Sequence, residues 1–96
     1  MIFTNNEQNK IVARVFAPLS GIVEDAATGS ACGALGALLA SRSNLQTGKI
    51  DFEINQGESI SRPSYINVSV IKEQGEVIKT SISGKCVLVS EGIFYI

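Results

Sequence analysis

The feature that most constrains this chain is the run at residues 30–41, S-A-C-G-A-L-G-A-L-L-A-S, which carries no charge on any face. Alanine and leucine dominate it and both are strong helix formers, so the run is expected to be helical. A helix that is apolar all round has to be buried all round. Twelve residues extend only ~18 Å at ~1.5 Å rise each, against ~30 Å for the hydrocarbon of a bilayer, so burial in protein is expected rather than in lipid. Gly33 and Gly36 lower helix propensity but let a neighbouring backbone approach closely. The pattern predicts a helix threaded through, or wrapped by, a sheet, and the most buried helix of its domain.

The rest of the chain supplies that sheet. Residues 11–16, I-V-A-R-V-F, read as a strand, with Pro18 and Gly21 as punctuation after it. Residues 17–29 hold a proline, two glycines and the acidic pair Glu24 and Asp25, which reads as a shaped loop. Residues 49–55 alternate, placing Ile50, Phe52 and Ile54 on one face and Asp51 and Glu53 on the other. Residues 65–72 and 77–83 alternate likewise around a hairpin turn at Gln74 and Gly75. Gly84 and Lys85 predict another turn, with residues 86–90 continuing the meander and residues 92–96 forming a last strand or packing onto the rest. Together these predict an α+β fold: a curled, mostly antiparallel sheet around one buried apolar helix. The edges of such a sheet lie open unless a second copy or another half covers them, so association is expected.

Length and composition bound the function. Ninety-six residues make one domain, and 45% apolar against 18% charged residues, with two prolines, is the balance of a chain that folds. Eight basic residues are scattered among nine acidic ones, which argues against a nucleic-acid partner, since that needs a clustered basic footprint. There is no histidine, and Cys32 and Cys86 lack C-x-x-C spacing, so no metal site is expected. Residues 1–10 are polar after Phe3 and have no apolar core of a secretory signal, which predicts a cytoplasmic address and no membrane partner. Two cysteines without a pairing motif fit a reducing compartment, and a bridge between them is the alternative.

Candidate chemistry gathers at residues 25–31. Thr28, Gly29 and Ser30 stand where the uncharged helix begins, and the first turn of a helix has N–H groups without internal partners. With the positive end of the helix dipole, those donors form a receptor for a carboxylate or phosphate. Thr28 or Ser30 either caps the helix or lends a hydroxyl to the anion, and Asp25 stands a few residues before them. Taken singly, a hydroxyl at a helix start is more often a cap and an aspartate in a loop more often a turn residue.

The run from residue 14 to residue 35 resembles the signature of the phenazine biosynthesis F-like (PhzF-like) family, R-x-F-A-P-x-x-G-x-x-E-D-P-A-T-G-S-A-x-G-A-L. Arg14, Phe16, Ala17, Pro18, Gly21, Glu24, Asp25, Ala27, Thr28, Gly29, Ser30, Ala31, Gly33, Ala34 and Leu35 match it. Gln56-Gly57 and Arg62-Pro63-Ser64 resemble the family's Q-G-x-x-x-G-R-P-S element, and Gly84-Lys85-Cys86-Val87 falls where it carries G-x-A-V. Two positions depart from it: Ala26 stands where proline is usual, freeing φ, and Ser61 stands where glycine is usual, which suits it only if φ need not be positive.

The resemblance implies one lobe of a diaminopimelate epimerase-like fold, with the site in a cleft between two similar lobes. It implies proton transfer at a carbon of a small carboxylic acid, shifting a double bond or inverting a centre, with neither metal nor organic cofactor. Carried over, Asp25 and Ser30 are the catalytic candidates that bind and polarise substrate, and Thr28, Gly29, Ser30 and Ala31 form the substrate-binding turn, with Gly29 offering its N–H to a carboxylate. The principal acid/base of the phenazine enzyme is a glutamate of the N-terminal lobe, so residues 1–96 are expected to be a C-terminal lobe that is incomplete alone. The implied partners are a small carboxylic acid or anion and either a second copy, as a homodimer, or a separate N-terminal lobe. Alternatives are a remnant without chemistry and an interaction domain that keeps the fold and the anion pocket. A thiol mechanism ranks third, because Cys32 lies inside the apolar helix, where a cysteine is most often a buried hydrophobe. Glu24 is expected to be structural.

Overall fold

In the computed structural model, which describes residues 1–6 and 8–96, the alternating runs form the sheet and the uncharged run forms the α-helix. Strands β1 (Ile2–Asn5), β2 (Lys10–Ala17) and β3 (Ile22–Asp25) precede helix α1 (Gly29–Ser41), and β4 (Gly48–Gln56), β5 (Ser64–Glu73) and β6 (Glu76–Gly84) follow it. The sheet order is β1-β2-β4-β5-β6, with β3 paired to β2. The α+β expectation holds, with one α-helix among the described residues packed on a mostly antiparallel sheet.

Period-two alternation sorts the sheet into two faces. Ile11, Ala13, Phe52, Ile54, Ile66, Val68 and Val70 point to one face and meet Cys32, Leu35 and Ala40 of α1 in the core. Register keeps these rows aligned: Phe52 pairs with Val68, and Ile54 with Ile66 on one side and Ile11 on the other. The opposite face carries Asp51, Glu53, Asn67 and Ser69, three of them exposed and Ser69 half-buried. Gly36 permits the close helix–sheet approach, because a Cβ there would stand 2.5 Å from Val68 Cγ1. Past the other end of α1, the ammonium of Lys72, 1% exposed, donates to the Ser43 carbonyl at 3.3 Å, placing a cation where the helix dipole is negative.

Several expectations need correction. β1 and β3 form where the sequence reads as a polar terminus and a loop, because each is short and is held by pairing to β2. The pairing of β2 with β4 is parallel, so the segment between them, which carries α1, is a crossover rather than a hairpin connection. Leu38 is 44% exposed, so the uncharged helix is enclosed on its sheet side while its outer flank lies open. Residues 85–96 form neither a turn-and-strand nor a packed end: they are irregular and exposed throughout. Ser61 does take a positive φ, +58°, at the end of a short 3-10 turn, where glycine would be unstrained.

Candidate functional site

The parallel pairing of β2 and β4 decides where the site forms. The chain leaves β2 at Ala17, makes a 3-10 turn closed by Gly21 at φ +78°, and returns through β3 to Asp25. It then enters α1 beside the C-terminal end of β4, so the start of the helix meets Gln56.

Gln56 is fully buried and uses both ends of its amide. Its Nε2 donates to the Asp25 carbonyl and to the Thr28 hydroxyl, each at 2.9 Å. Its Oε1 accepts from the Thr28 N–H at 3.1 Å and from the Cys32 thiol at 3.5 Å. An amide has two donor hydrogens and two acceptor lone pairs, so its capacity is filled and its orientation is fixed. That fixes the next link: the Thr28 hydroxyl accepts from Gln56 and therefore donates to Asp25 Oδ2, at 2.6 Å. One carboxylate oxygen of Asp25 is thereby held. Burial pushes the Cys32 thiol up to about 11, so it stays protonated at neutral pH and serves as a donor, not as a nucleophile.

Because its hydroxyl turns to Asp25, Thr28 makes no side-chain cap on α1. The N–H groups of the first turn, at Gly29, Ser30 and Ala31, keep the orphan character that favours anions. Ser30 is exposed, and Gly29 and Ala31 are half-buried. A Cβ at position 29 would meet only the side-chain end of Ile82, at 2.5 Å from its Cδ1, and that half-exposed side chain is free to turn aside. Asp25 and Thr28 are therefore brought into direct contact, with Gly29, Ser30 and Ala31 following as the first turn of the helix.

Glu24, adjacent to Asp25, turns to Arg14, whose Nε and Nη2 donate to its two oxygens at 2.9 and 3.0 Å. This pair stitches β3 to β2, and the Arg14 guanidinium also lies 5.0 Å from the Phe16 ring centre. The hydrogen bond from Arg14 holds the Glu24 carboxyl below its usual range. Its role is structural, as expected.

Gly57 follows the glutamine at φ +82°, and a Cβ there would collide with the carbonyl oxygens of Arg62 and Ala26. Only glycine fits, and through it the turn from β4 to β5 packs on the loop that holds Asp25. Beyond this turn a cleft of about 840 Å³ runs past Ala27 and Gly29 between the start of β5, at Ser64 and Tyr65, and the end of β6, at Ile82 and Ser83. Asp25, Thr28 and Ser30 do not line it. Sequence reasoning passed over Gln56 as a site residue. The signal was there: in the row Ile50, Phe52, Ile54, Gln56, the glutamine falls in phase with the apolar face, and a polar group placed there has to be bonded.

A buried amide thus holds a carboxylate beside an uncapped helix start, and no metal-ligand cluster occurs among the described residues. The family model described as phenazine biosynthesis-like protein matches residues 2–92, and the chain belongs to that family. It is 41% identical over 88 residues to an uncharacterized isomerase of Deinococcus radiodurans, covering 90% of this chain and 29% of that protein. It is 38% identical over 80 residues to a trans-2,3-dihydro-3-hydroxyanthranilate isomerase of Pseudomonas chlororaphis, covering 83% of this chain and 28% of the relative. Antisense-enhancing sequence 1 of Schizosaccharomyces pombe is 35% identical over 92 residues, covering 88% of this chain and 31% of its own length. The chain thus spans less than a third of the length of these relatives. Relatives named as isomerases support an isomerase or epimerase function at the level of the family.

Proposed function

We propose that this chain is the C-terminal lobe of a PhzF-like isomerase that moves a proton on a small carboxylic acid and completes its site with a second lobe. The observation that carries the reading is the Gln56–Thr28–Asp25 chain of hydrogen bonds beside the uncapped first turn of α1. The N–H groups of Gly29, Ser30 and Ala31 would take the substrate carboxylate, and the Ser30 hydroxyl would polarise it. Electron density that moves onto that carboxylate when a neighbouring C–H loses its proton is stabilised by donors already in place. The carboxylate of Asp25 would accept or guide that proton, which returns at another carbon or at the opposite face of the same one. The second acid/base would come from the facing lobe, since one carboxylate on an open half-cleft is too well solvated to serve both roles. The reading is of a cytoplasmic enzyme that works without metal or organic cofactor, and its Pseudomonas relatives are named as isomerases.

Solvent deuterium incorporation tests this. A panel of unsaturated and hydroxylated carboxylic acids is incubated in D2O with the chain, alone and with the N-terminal portion of a family member. The expected result is exchange at a carbon near the carboxylate, lost in Asp25→Asn. Absence of exchange in both preparations, with no amide shift at Gly29, Ser30 or Ala31 on anion titration, would leave a helix start that serves only to pack. The second reading, an interaction domain that keeps the fold, is favoured by the exposed apolar tail at residues 85–96.

A further inference from the structure

The sequence leaves the Thr28 hydroxyl two roles, helix cap or ligand to an anion, and the structure shows a third. Thr28 is half-buried, and its side chain makes no capping bond to the first turn of α1. Its hydroxyl stands between Gln56 Nε2 at 2.9 Å and Asp25 Oδ2 at 2.6 Å. A hydroxyl has one hydrogen and two lone pairs, so which neighbour receives the hydrogen depends on which neighbour already donates.

Gln56 settles that, and main-chain groups settle Gln56. The Thr28 N–H, at 3.1 Å, can only donate, so the amide atom facing it is the oxygen. The Asp25 carbonyl, at 2.9 Å, can only accept, so the atom facing it is the nitrogen. The Cys32 thiol adds to the first constraint, because burial pushes its pKa up to about 11 and it keeps the hydrogen it gives to the same oxygen at 3.5 Å. Turning the amide over would set donor against donor and carbonyl against carbonyl. Gln56 is fully buried, so solvent could not relieve the mismatch.

The order of the chain follows. Gln56 Nε2 gives a hydrogen to Thr28 Oγ1, and Thr28 Oγ1 gives its own to Asp25 Oδ2. The hydroxyl has no second hydrogen, so it cannot also donate to a ligand at the helix start. Drawing it away would break the shortest bond of the group, 2.6 Å against 2.9 Å or more for the others, and bonds to a carboxylate are the stronger kind.

We infer that Gln56 is a positioning residue that commits the Thr28 hydroxyl to Asp25, so that Thr28 serves the carboxylate and is withheld from the substrate. Its bearing on catalysis rests on the proton-transfer reading above, while the order of the hydrogen bonds is measurable on the chain alone. Asp25 then keeps its aim when an anion arrives, because the donor that holds it is not available to the newcomer. Recognition of a bound carboxylate is left to the N–H groups of Gly29, Ser30 and Ala31 and to the Ser30 hydroxyl.

Proton NMR of the full chain and of Thr28→Ser, Thr28→Val and Gln56→Glu tests it, with acetate as the anion probe. In the unaltered chain the Thr28 hydroxyl proton should be resolved at neutral pH and exchange at least ~100-fold slower than a free hydroxyl. It should show cross-relaxation to the Gln56 side-chain amide and to the Asp25 β-protons. Acetate should shift the amides of Gly29 and Ser30 and leave that proton in place, and Thr28→Ser should keep the signal. In Gln56→Glu an ionised carboxylate has no hydrogen to give, so the hydroxyl should turn to it and lose Asp25 while the amides of β4 and β5 stay protected. A glutamine that only packs would leave the hydroxyl where it is. Should that variant not fold, Thr28→Val decides with any acid that exchanges deuterium: kcat should fall about 10- to 100-fold, the worth of one hydrogen bond to a charged group, with KM within about 2-fold. A threonine that binds substrate would raise KM instead. A Thr28 hydroxyl that exchanges freely, moves to acetate or keeps Asp25 in Gln56→Glu overturns the inference. If no acid exchanges and acetate shifts no amide, the proton-transfer reading fails, and the hydroxyl proton of the free chain still decides the order.

Discussion

Gln56 shows how one side chain can decide the shape of a site. Its amide joins the last residue of β3, the residue before α1 and the first turn of the helix, and it has no spare donor or acceptor. Gln56→Leu keeps the volume roughly and leaves buried partners unbonded. The expected loss is about 3 kcal/mol, at ~1–3 kcal/mol for each group left unsatisfied, read as a shift of the urea midpoint with an unchanged slope. Glu24 gives a pH signature instead. Its folded-state value is lowered from 4.5 by the Arg14 hydrogen bond, so the stability it contributes is present above that value and is lost as pH falls through the lowered one. Glu24→Gln should flatten the acid limb of a stability–pH curve, while Asp51, lowered chiefly by the Ser69 hydroxyl, keeps its own share.

At the scale of elements, α1 has two unlike flanks. Leu35 is 5% exposed and Leu38 44%. Leu35→Ala should therefore destabilise by ~2–5 kcal/mol and Leu38→Ala by less than about 1 kcal/mol, compared by denaturant unfolding. The elements that were legible from sequence are those whose order is written locally. Alternation at residues 49–55 marked β4, and the uncharged run marked α1 to within a residue. β1 and β3 were not legible, since four residues paired to β2 carry too short a pattern. The parallel contact of β2 with β4 was invisible for a different reason: adjacency across a crossover is a property of the fold and leaves no periodic trace. Residues 86–90 have a strand's composition, and composition does not reveal whether an edge is available within the chain. At the candidate site, the motif marks Asp25, Thr28 and Gly29 as neighbours of the helix start, while the hydrogen bonds that Gln56 makes to that loop depend on a contact across 28 residues that no local pattern carries.

At the scale of the molecule, the site is closed by contacts that join distant parts of the chain. Gln56 bonds Thr28 and Asp25 across 28 and 31 residues, from the C-terminal end of a strand whose parallel neighbour precedes the loop. A loop held only by its own residues would breathe in isolation, opening with a free energy far below that of the whole domain. This one cannot swing away unless the glutamine is withdrawn from under the helix, which means separating α1 from β4. The amide of Thr28 should consequently report the opening of the entire sheet: its exchange in native conditions should give the same free energy as global denaturation, and that free energy should fall with denaturant at the full slope. If it instead exchanged at a denaturant-independent rate, the carboxylate of Asp25 would be mobile in the native state. In the first case the loop and the helix start are one rigid surface, and any group that binds there meets donors whose positions were set when the chain folded.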